Sequence, residues 1–529
     1  MVVEAEAAVP KVINDDVVVA QLFKKVLIEE MGLNSTLVQI PGDDTYEENR
    51  KKHFNLDMIS CHPLLFVTPT TTQEVSLVVP GYTQGLQRWK EREQQETNND
   101  GASLPLPKLC ICGGRHSTRS FVENSFVVDM SKMDQVTVDP KAHTVTVQGG
   151  VKIQKLMDTL APYHLSPVTG THSDTGVIGL TLGGGQGFLS KKYGPAIDQI
   201  LNVEIVLADG SIHTISIDDK TKFAQDIMFN IRGGGGNIGI LTSLTMKVYP
   251  IHNLALMEKV NFVFTQNGVQ DVLVRYGQWS LSCGDDCTSF CILPLGTIAP
   301  VVVVAGVSSN TDVIPQGDVS AEEATTRVNY KDIPGFNDLN NNIVGSWFHL
   351  PGKFKVKDYH TELLQELSKE DPDYYYYTNI FVPAITPDIA SVFAQAQRGI
   401  QSKGITGAII IFNHAGTKTE SIPCEETAFE MRDKKYWLLS QTTWKVTGNK
   451  QVDEQARNKV VEFNRWFRTE LIKAGGTKTI HAITNQEDDF NVENDFGLYI
   501  RHVNKQRILQ TQQELDPNGV FRMNQTVVG

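Results

Sequence analysis

Four glycine-rich stretches fall between residues 112 and 240: CGGRHST at 112–118, VTGTHSDTGVIG at 168–179, LGGGQGFLSKKYG at 182–194 and RGGGGNIGI at 232–240. Glycine lets backbone approach a ligand closely and turns successive N–H groups toward phosphate oxygens. It equally serves tight turns, so one cluster alone has two readings. None of the four is a GxxxxGK[ST] loop, and none opens a nicotinamide-type βαβ unit. Taken together, they imply a long ligand, with a diphosphate and two ring systems, lying along extended backbone.

The elements that must position these loops can be read from periodicity. Val136 and Val138, then Val145 and Val147, alternate about Asp139-Pro140-Lys141, which predicts a hairpin. Ile153, Leu156, Met157 and Leu160 mark an amphipathic helix. Val203, Ile205 and Leu207 lead to Asp209-Gly210, and Ile212 begins the return strand of a second hairpin. The stretch from 84 to 107, charged and amide-rich and then rich in Gly, Ser and Pro, reads as a surface loop. From about 251 longer apolar segments such as TNIFVPAI and GAIIIFN give a second lobe, and Tyr374 to Tyr377 read as strand residues. Ala456, Val460, Phe463, Phe467 and Leu471 share one face of a helix ending at Gly475-Gly476, and a last helix stops at Asp516-Pro517. The fold class is α+β.

The bulk properties narrow the ligand. With 529 residues the chain exceeds what one core serves, so at least two lobes are expected. A net charge of −13 gives no electrostatic case for nucleic acid or an anionic membrane, leaving small-molecule chemistry. The N-terminus lacks a signal-peptide pattern, and the longest apolar run, at 300–307, is far shorter than the roughly 20 residues that cross a bilayer. A soluble, cytoplasmic protein is the expectation. The seven cysteines, including Cys283, Cys287 and Cys291, have no histidines at zinc spacing and read as reduced thiols, so no metal is expected.

The motifs also carry a family resemblance. ICGGRHS, LGGGQGFLSKKYGPAIDQIL and IRGGGGNIGILTSLTMKVYP resemble glycine segments of the vanillyl-alcohol oxidase and p-cresol methylhydroxylase flavoenzymes. ETAFEMR at 426–432 and NKQRILQTQQELDPNGVFRMNQ at 504–525 are similar to segments of the berberine bridge enzyme-like branch. Ordered matches run from about residue 38 to 525. The resemblance implies a two-part FAD domain of the p-cresol methylhydroxylase type, at 1–250 and 456–529, and a substrate domain at 251–455. In the latter, an antiparallel sheet backed by helices covers the reactive face of the flavin.

It also implies site residues. His116 corresponds to the histidine tethered to the flavin 8α-methyl; the other reading of this residue is a capping or core histidine. The family's second tether, a cysteine, is replaced by His172, so a single covalent attachment is expected, with His172 a polar contact, a proton carrier or a packed side chain. Backbone from Gly113 and Gly114 through Arg115 to Ser117 is expected to cradle the diphosphate. Gly170, Thr171, Asp174 and Gly179 are expected to line the adenine-ribose and diphosphate path, with Gly239-Ile240 by the adenine. The Gly183, Gly184 and Gly187 segment is expected to run close to the isoalloxazine ring.

Catalysis needs a hydride donor held about 3–3.5 Å from the acceptor and a base for an alcohol. By resemblance the base and its helpers map near Gln441, Gln186 and Tyr499, with Tyr436 a further candidate. Alternation along one strand puts Tyr436 and Ser440 on one face and Gln441 on the other. Arg432 or Arg501 could stabilise a phenolate, and Lys191 and Lys192 read as a solvated turn. The expected activity is oxidation of an alcohol or sugar-like substrate by covalent FAD, with dioxygen or another electron acceptor. An oxidative cyclase or desaturase, and a flavin-binding protein without catalysis, are the alternatives.

Overall fold

The computed structural model describes residues 11–96, 106–263, 265–297, 301–317, 319–327, 346–349, 353–360, 374–400, 404–475 and 502–521. Three sheets organise them. The first runs Val38–Gln39, Leu65–Val67, Phe126–Asp129, Leu109–Cys112, and its last three strands are parallel. These strands are buried on both sides, hence the unbroken apolar runs LFV and FVVD. The second sheet is antiparallel, in the order Val136–Asp139, Thr144–Gln148, Ile240–Tyr249, Ile200–Val206, Ile212–Ser216. Both expected hairpins are in it, with Val136 opposite Val147 and Val203 opposite Ile215. The expected helix forms at Ile153–Leu160, and its four apolar positions are buried.

The third sheet is antiparallel and larger. Its order is Ser346–His349, Asn253–Val263, Val301–Ser308, Cys287–Leu295, Thr406–Asn413, Tyr436–Thr443, Tyr375–Val382, with Lys353–Asp358 also pairing to Asn253–Val263. One face packs on helices Gln266–Ser282, Pro387–Ile400 and Lys450–Gly475 through Leu273, Phe393, Phe463 and Phe467. The other face turns toward the second sheet, where Phe290, Phe381 and Phe412 join the core of Val147, Leu156 and Leu244. The α+β class and the sheet backed by helices are therefore as expected.

Two expectations are corrected. Residues 84–96 are not loop but continue helix Thr72–Glu96, because Tyr82 and Trp89 are buried while the charged and amide residues between them face outward. Those polar residues are good helix formers, and only 97–105 lie outside the described residues. Helix Lys450–Gly475 packs on the third sheet rather than returning to the first lobe, since Val460, Phe463 and Leu471 belong to that sheet's core. The return is made by the last segment, where Ile508 meets Phe229 and Phe521 joins the core around the first sheet. Among the described residues no helix is long and apolar enough to cross a membrane.

Candidate active site

The first glycine loop leaves the carboxyl end of the parallel strand Leu109–Cys112, the usual place for a ligand on such a sheet. Gly114 is required there because a Cβ would stand 2.0 Å from the Gly176 nitrogen. Arg115 turns the loop through a left-handed conformation, φ 61°, and sends its guanidinium away from it to buried Asp129 at 2.6 Å and to the carbonyls of Asn49 and Lys52. His53 holds Ser117. Its Nε2–H donates to the Ser117 carbonyl at 3.0 Å while Nδ1 accepts the Asn55 N–H at 3.0 Å. Burial drops the His53 pKa to about 4, so this clamp is a neutral imidazole.

Beyond it His116 points its Nε2 at Asp174 Oδ1, and His172 Nδ1 lies 2.8 Å from the same oxygen. Burial alone would raise the Asp174 pKa, but the hydrogen bonds from His116 and His172 hold it well below the usual carboxylate range. Burial also lowers the His116 pKa against the pull of Asp174. An ionised carboxylate only accepts, so both facing nitrogens carry the hydrogen, and His116 Nδ1 and His172 Nε2 keep lone pairs. Phe54 stacks on His116, 4.1 Å between centroids, and sets its ring edge-on to His172 at 4.9 Å. Tyr375, from the third sheet, lies parallel to Phe54 at 5.0 Å, and Asn55 Nδ2 donates to the Tyr375 carbonyl at 2.8 Å. The cluster is thereby locked between the two lobes.

His116 borders a cleft with about 1090 Å³ of empty space, its open mouth included. The cleft is lined by residues 113–117, by Thr175, Gly176 and 178–180, and by Gly235, Gly236 and 239–241, with Gly149, Met130 and Arg119. Gly179 stands in the short helix Val177–Leu182, yet a Cβ there would meet nothing within 4 Å. The Gln186 amide, outside the lining residues, is buried with neither end hydrogen-bonded to the described residues. A cradle lined by this many glycines fits a diphosphate, and an orphaned amide fits a polar group.

The third sheet faces this region with alternate residues. Trp437, Leu439 and Gln441 share its inner face, and Gln441 sits opposite Tyr377 and Ala408. Tyr377 and Trp437 are half-buried, and the Trp437 indole donates to Asn379 at 2.8 Å.

Across 96% of this chain and 99% of theirs, the fold superposes on a chitooligosaccharide oxidase, with a TM-score of 0.76 at 16% identity, and on the berberine bridge enzyme-like protein 1 of Physcomitrella patens, with a TM-score of 0.71 at 18% identity. Residues 95–216 match the family described as FAD binding domain. The chain is an FAD-binding protein with the berberine bridge enzyme-like fold. The FAD-linked oxidoreductase azaL of Aspergillus niger is 34% identical over 165 residues, 31% of this chain and 34% of its own length. Thus this flavoprotein matches about a third of that relative. The FAD-linked oxidoreductase chyH of Penicillium rubens is 25% identical over 501 residues, covering 91% and 89% of the two chains.

Within the flavoprotein, Gly113, Gly114, Arg115, His116, Ser117, Gly179, Gly239 and Ile240 all line the cleft. Gly170, Thr171 and Asp174 are not among its lining residues. Gly170 packs against Leu180, and Asp174 serves the two histidines. At Gly184 a Cβ would strike Phe429, and at Gly187 the Thr169 carbonyl at 1.8 Å, so the fold itself requires glycine at both.

The catalytic candidates divide similarly. Tyr436 is corrected: it lies on the helix-covered face, its hydroxyl 2.8 Å from the Gly277 carbonyl and from Ser280 Oγ, and burial pushes its pKa up to about 12. Ser440 is also on that covered face, and Gln441 is opposite, as alternation requires. Arg432 is buried against Asp198 at 2.8 Å and meets no phenol among the described residues. Lys191 is not solvated, for its ammonium donates to the carbonyls of Ser280 and Cys287 at 2.8 and 3.1 Å. Tyr499 and Arg501 lie outside the described residues. Gly176, Gly235 and Gly236 belong to the glycine stretches singled out from the sequence but were given no individual role, whereas Gly149, Phe54, Asn55, Tyr375 and Tyr377 were passed over. The HFN triplet at 53–55 and the tyrosine run were the signals present.

Proposed function

We propose that this flavoprotein oxidises an alcohol or sugar-like substrate, with FAD tethered through His116 and dioxygen as the final acceptor. The observation that carries this reading is the His116–Asp174–His172 cluster at the rim of the glycine-walled cleft, beneath the inner face of the third sheet. FAD, when bound, supplies the two-electron acceptor for the substrate's hydride and passes the electrons on to dioxygen.

The chain's own share is tautomer control, proton transfer and placement. Asp174 fixes the hydrogen of His116 on Nε2, leaving Nδ1 as the nucleophilic nitrogen for the tether. The same carboxylate orients His172 so that its Nε2 lone pair takes the hydroxyl proton as the substrate C–O bond becomes a carbonyl. Tyr377 and Trp437 offer half-buried aromatic faces for a sugar ring, and the Gln441 amide offers a donor and an acceptor for its hydroxyls. Phe54 and Tyr375 keep the two imidazoles from turning and exclude water on one side.

Anaerobic mixing of the holoprotein with a panel of alcohols, monosaccharides and oligosaccharides tests the reading. Bleaching of the flavin absorbance by one chemical class is expected. Retained yellow colour with every donor would identify a binding protein without catalysis.

A further inference from the structure

A second cluster of metal-ligating side chains lies away from the cleft, where three segments of the two lobes meet. His252 follows the last strand of the second sheet, whereas Asp358 ends a strand at the margin of the third, and His360 comes two residues later. His252 Nε2 is 3.2 Å from Asp358 Oδ2, and His360 Nδ1 is 3.6 Å from Asp358 Oδ1. One ligand atom from each residue can be chosen so that all three lie within 4.8 Å of one another. Tetrahedral bonds of about 2.0–2.1 Å put ligand atoms roughly 3.3–3.4 Å apart, and each histidine already stands near that distance from one of the two Asp358 oxygens, His252 from Oδ2 and His360 from Oδ1.

The tautomer of His360 is the deciding detail. Its Nε2 is 2.7 Å from the Leu165 carbonyl, which can only accept, so Nε2 carries the hydrogen. Nδ1 is then a lone pair, fully buried, and it receives no hydrogen bond from the described residues. An imidazole that donates one N–H to a backbone carbonyl and aims its other nitrogen at a carboxylate and a second imidazole has the usual support of a metal ligand. His164 stands edge-on to His252, 4.6 Å between ring centroids, as the nearest further imidazole. Side-chain exposures of 14% for His252 and 22% for Asp358 leave an entry path.

We propose that His252, Asp358 and His360 form a binding site for a first-row divalent cation, with Zn²⁺ as its occupant. Two nitrogen donors and one carboxylate suit zinc far better than calcium or magnesium, which take oxygen ligands. The ion would fasten the 251–253 connector and the end of the 353–358 strand to the 164–166 segment, where Ser166 already bonds the Ile251 carbonyl and Tyr359 N–H the His252 carbonyl. Its role is to hold the junction of the lobes, apart from the flavin cleft.

The test uses the flavin-loaded protein, stripped with a chelator and titrated with Zn²⁺ alone. One equivalent is expected to bind and survive gel filtration, raising the thermal midpoint, and Co²⁺ in its place should give visible d–d absorption. His252→Gln, which can still hydrogen-bond Asp358 but offers no ring nitrogen, should weaken binding at least tenfold with flavin content unchanged. Asp358→Asn, at a partly exposed position, should do the same. His172→Ala should leave zinc binding intact, which separates this site from the cluster at the cleft. No bound equivalent in the wild type, undiminished binding in both junction variants, or loss of zinc in His172→Ala would overturn the proposal.

Discussion

The cleft wall and the inner face of the third sheet border one site but are built in opposite ways. The wall is backbone: Gly113, Gly114, Gly176, Gly179, Gly235 and Gly239 line it, and several are glycine because another strand of chain passes too close for a Cβ. The sheet face is side chain: Tyr377, Trp437 and Gln441 project from ordinary paired strands with no irregularity between them. A site held by backbone restricts residue type, whereas a site held by side chains leaves the scaffold free to change its chemistry. On the function proposed above, cofactor binding falls to the first lobe and substrate choice to the third sheet.

The largest test of that contrast is Gly114→Ala. Its Cβ would meet Gly176 backbone at 2.0 Å, so we expect little folded, flavin-loaded protein by expression and absorbance. On the other side of the contrast, His172→Ala should fold and hold flavin but slow anaerobic flavin reduction by roughly 10²–10⁴-fold, the range a general base supplies. Stopped-flow absorbance reads this. If Tyr499→Phe causes the loss and His172→Ala does not, the base belongs to that tyrosine.

An intermediate effect concerns the histidines held neutral by burial. His53 and His414 have pKa values lowered to about 4 and about 3, with His116 lowered as well. The unfolded chain binds these protons first, so their stabilisation is fully present above about pH 6.5 and falls away as pH drops toward 4. For His53 alone the shift corresponds to about 3 kcal/mol. Denaturant midpoints should fall over this interval, and less steeply in His53→Gln.

Two smaller effects sharpen the division. Gly179→Ala meets nothing in the protein and replaces a helical glycine, so the flavin-free chain should be unharmed or gain about 0.5–1 kcal/mol. Flavin incorporation should nevertheless drop, because the added methyl enters the cleft. Tyr377→Ala should leave flavin loading untouched and raise KM about tenfold, equivalent to about 1.4 kcal/mol.

This division also explains what could be read from the amino acids. The glycine loops, both hairpins of the second sheet and the Ile153–Leu160 helix follow from residue type and period, because strain and alternation leave local marks. Tyr375 and Tyr377 carried no such mark: a tyrosine run is good strand sequence on any face, and only the pairing across to Thr443 and Gln441 shows which way they point. Lys191 looked like a surface turn because the carbonyls it reaches, on Ser280 and Cys287, are about ninety residues away in sequence. The polar run after residue 84 looks like loop because only Leu86 and Trp89 in it reach the core, too sparse a signal for periodicity.

The central claim is that Asp174 sets the tautomer of His116 and so makes Nδ1 the point of flavin attachment. Peptide mapping of the denatured protein by mass spectrometry, on wild type and Asp174→Asn side by side, addresses it directly. The account predicts one FAD on the peptide containing His116, bonded at Nδ1 by NMR of the isolated flavopeptide, an unmodified His172 peptide, and sharply reduced attachment in Asp174→Asn. Flavin on His172, attachment through His116 Nε2, or full attachment without the carboxylate would contradict it.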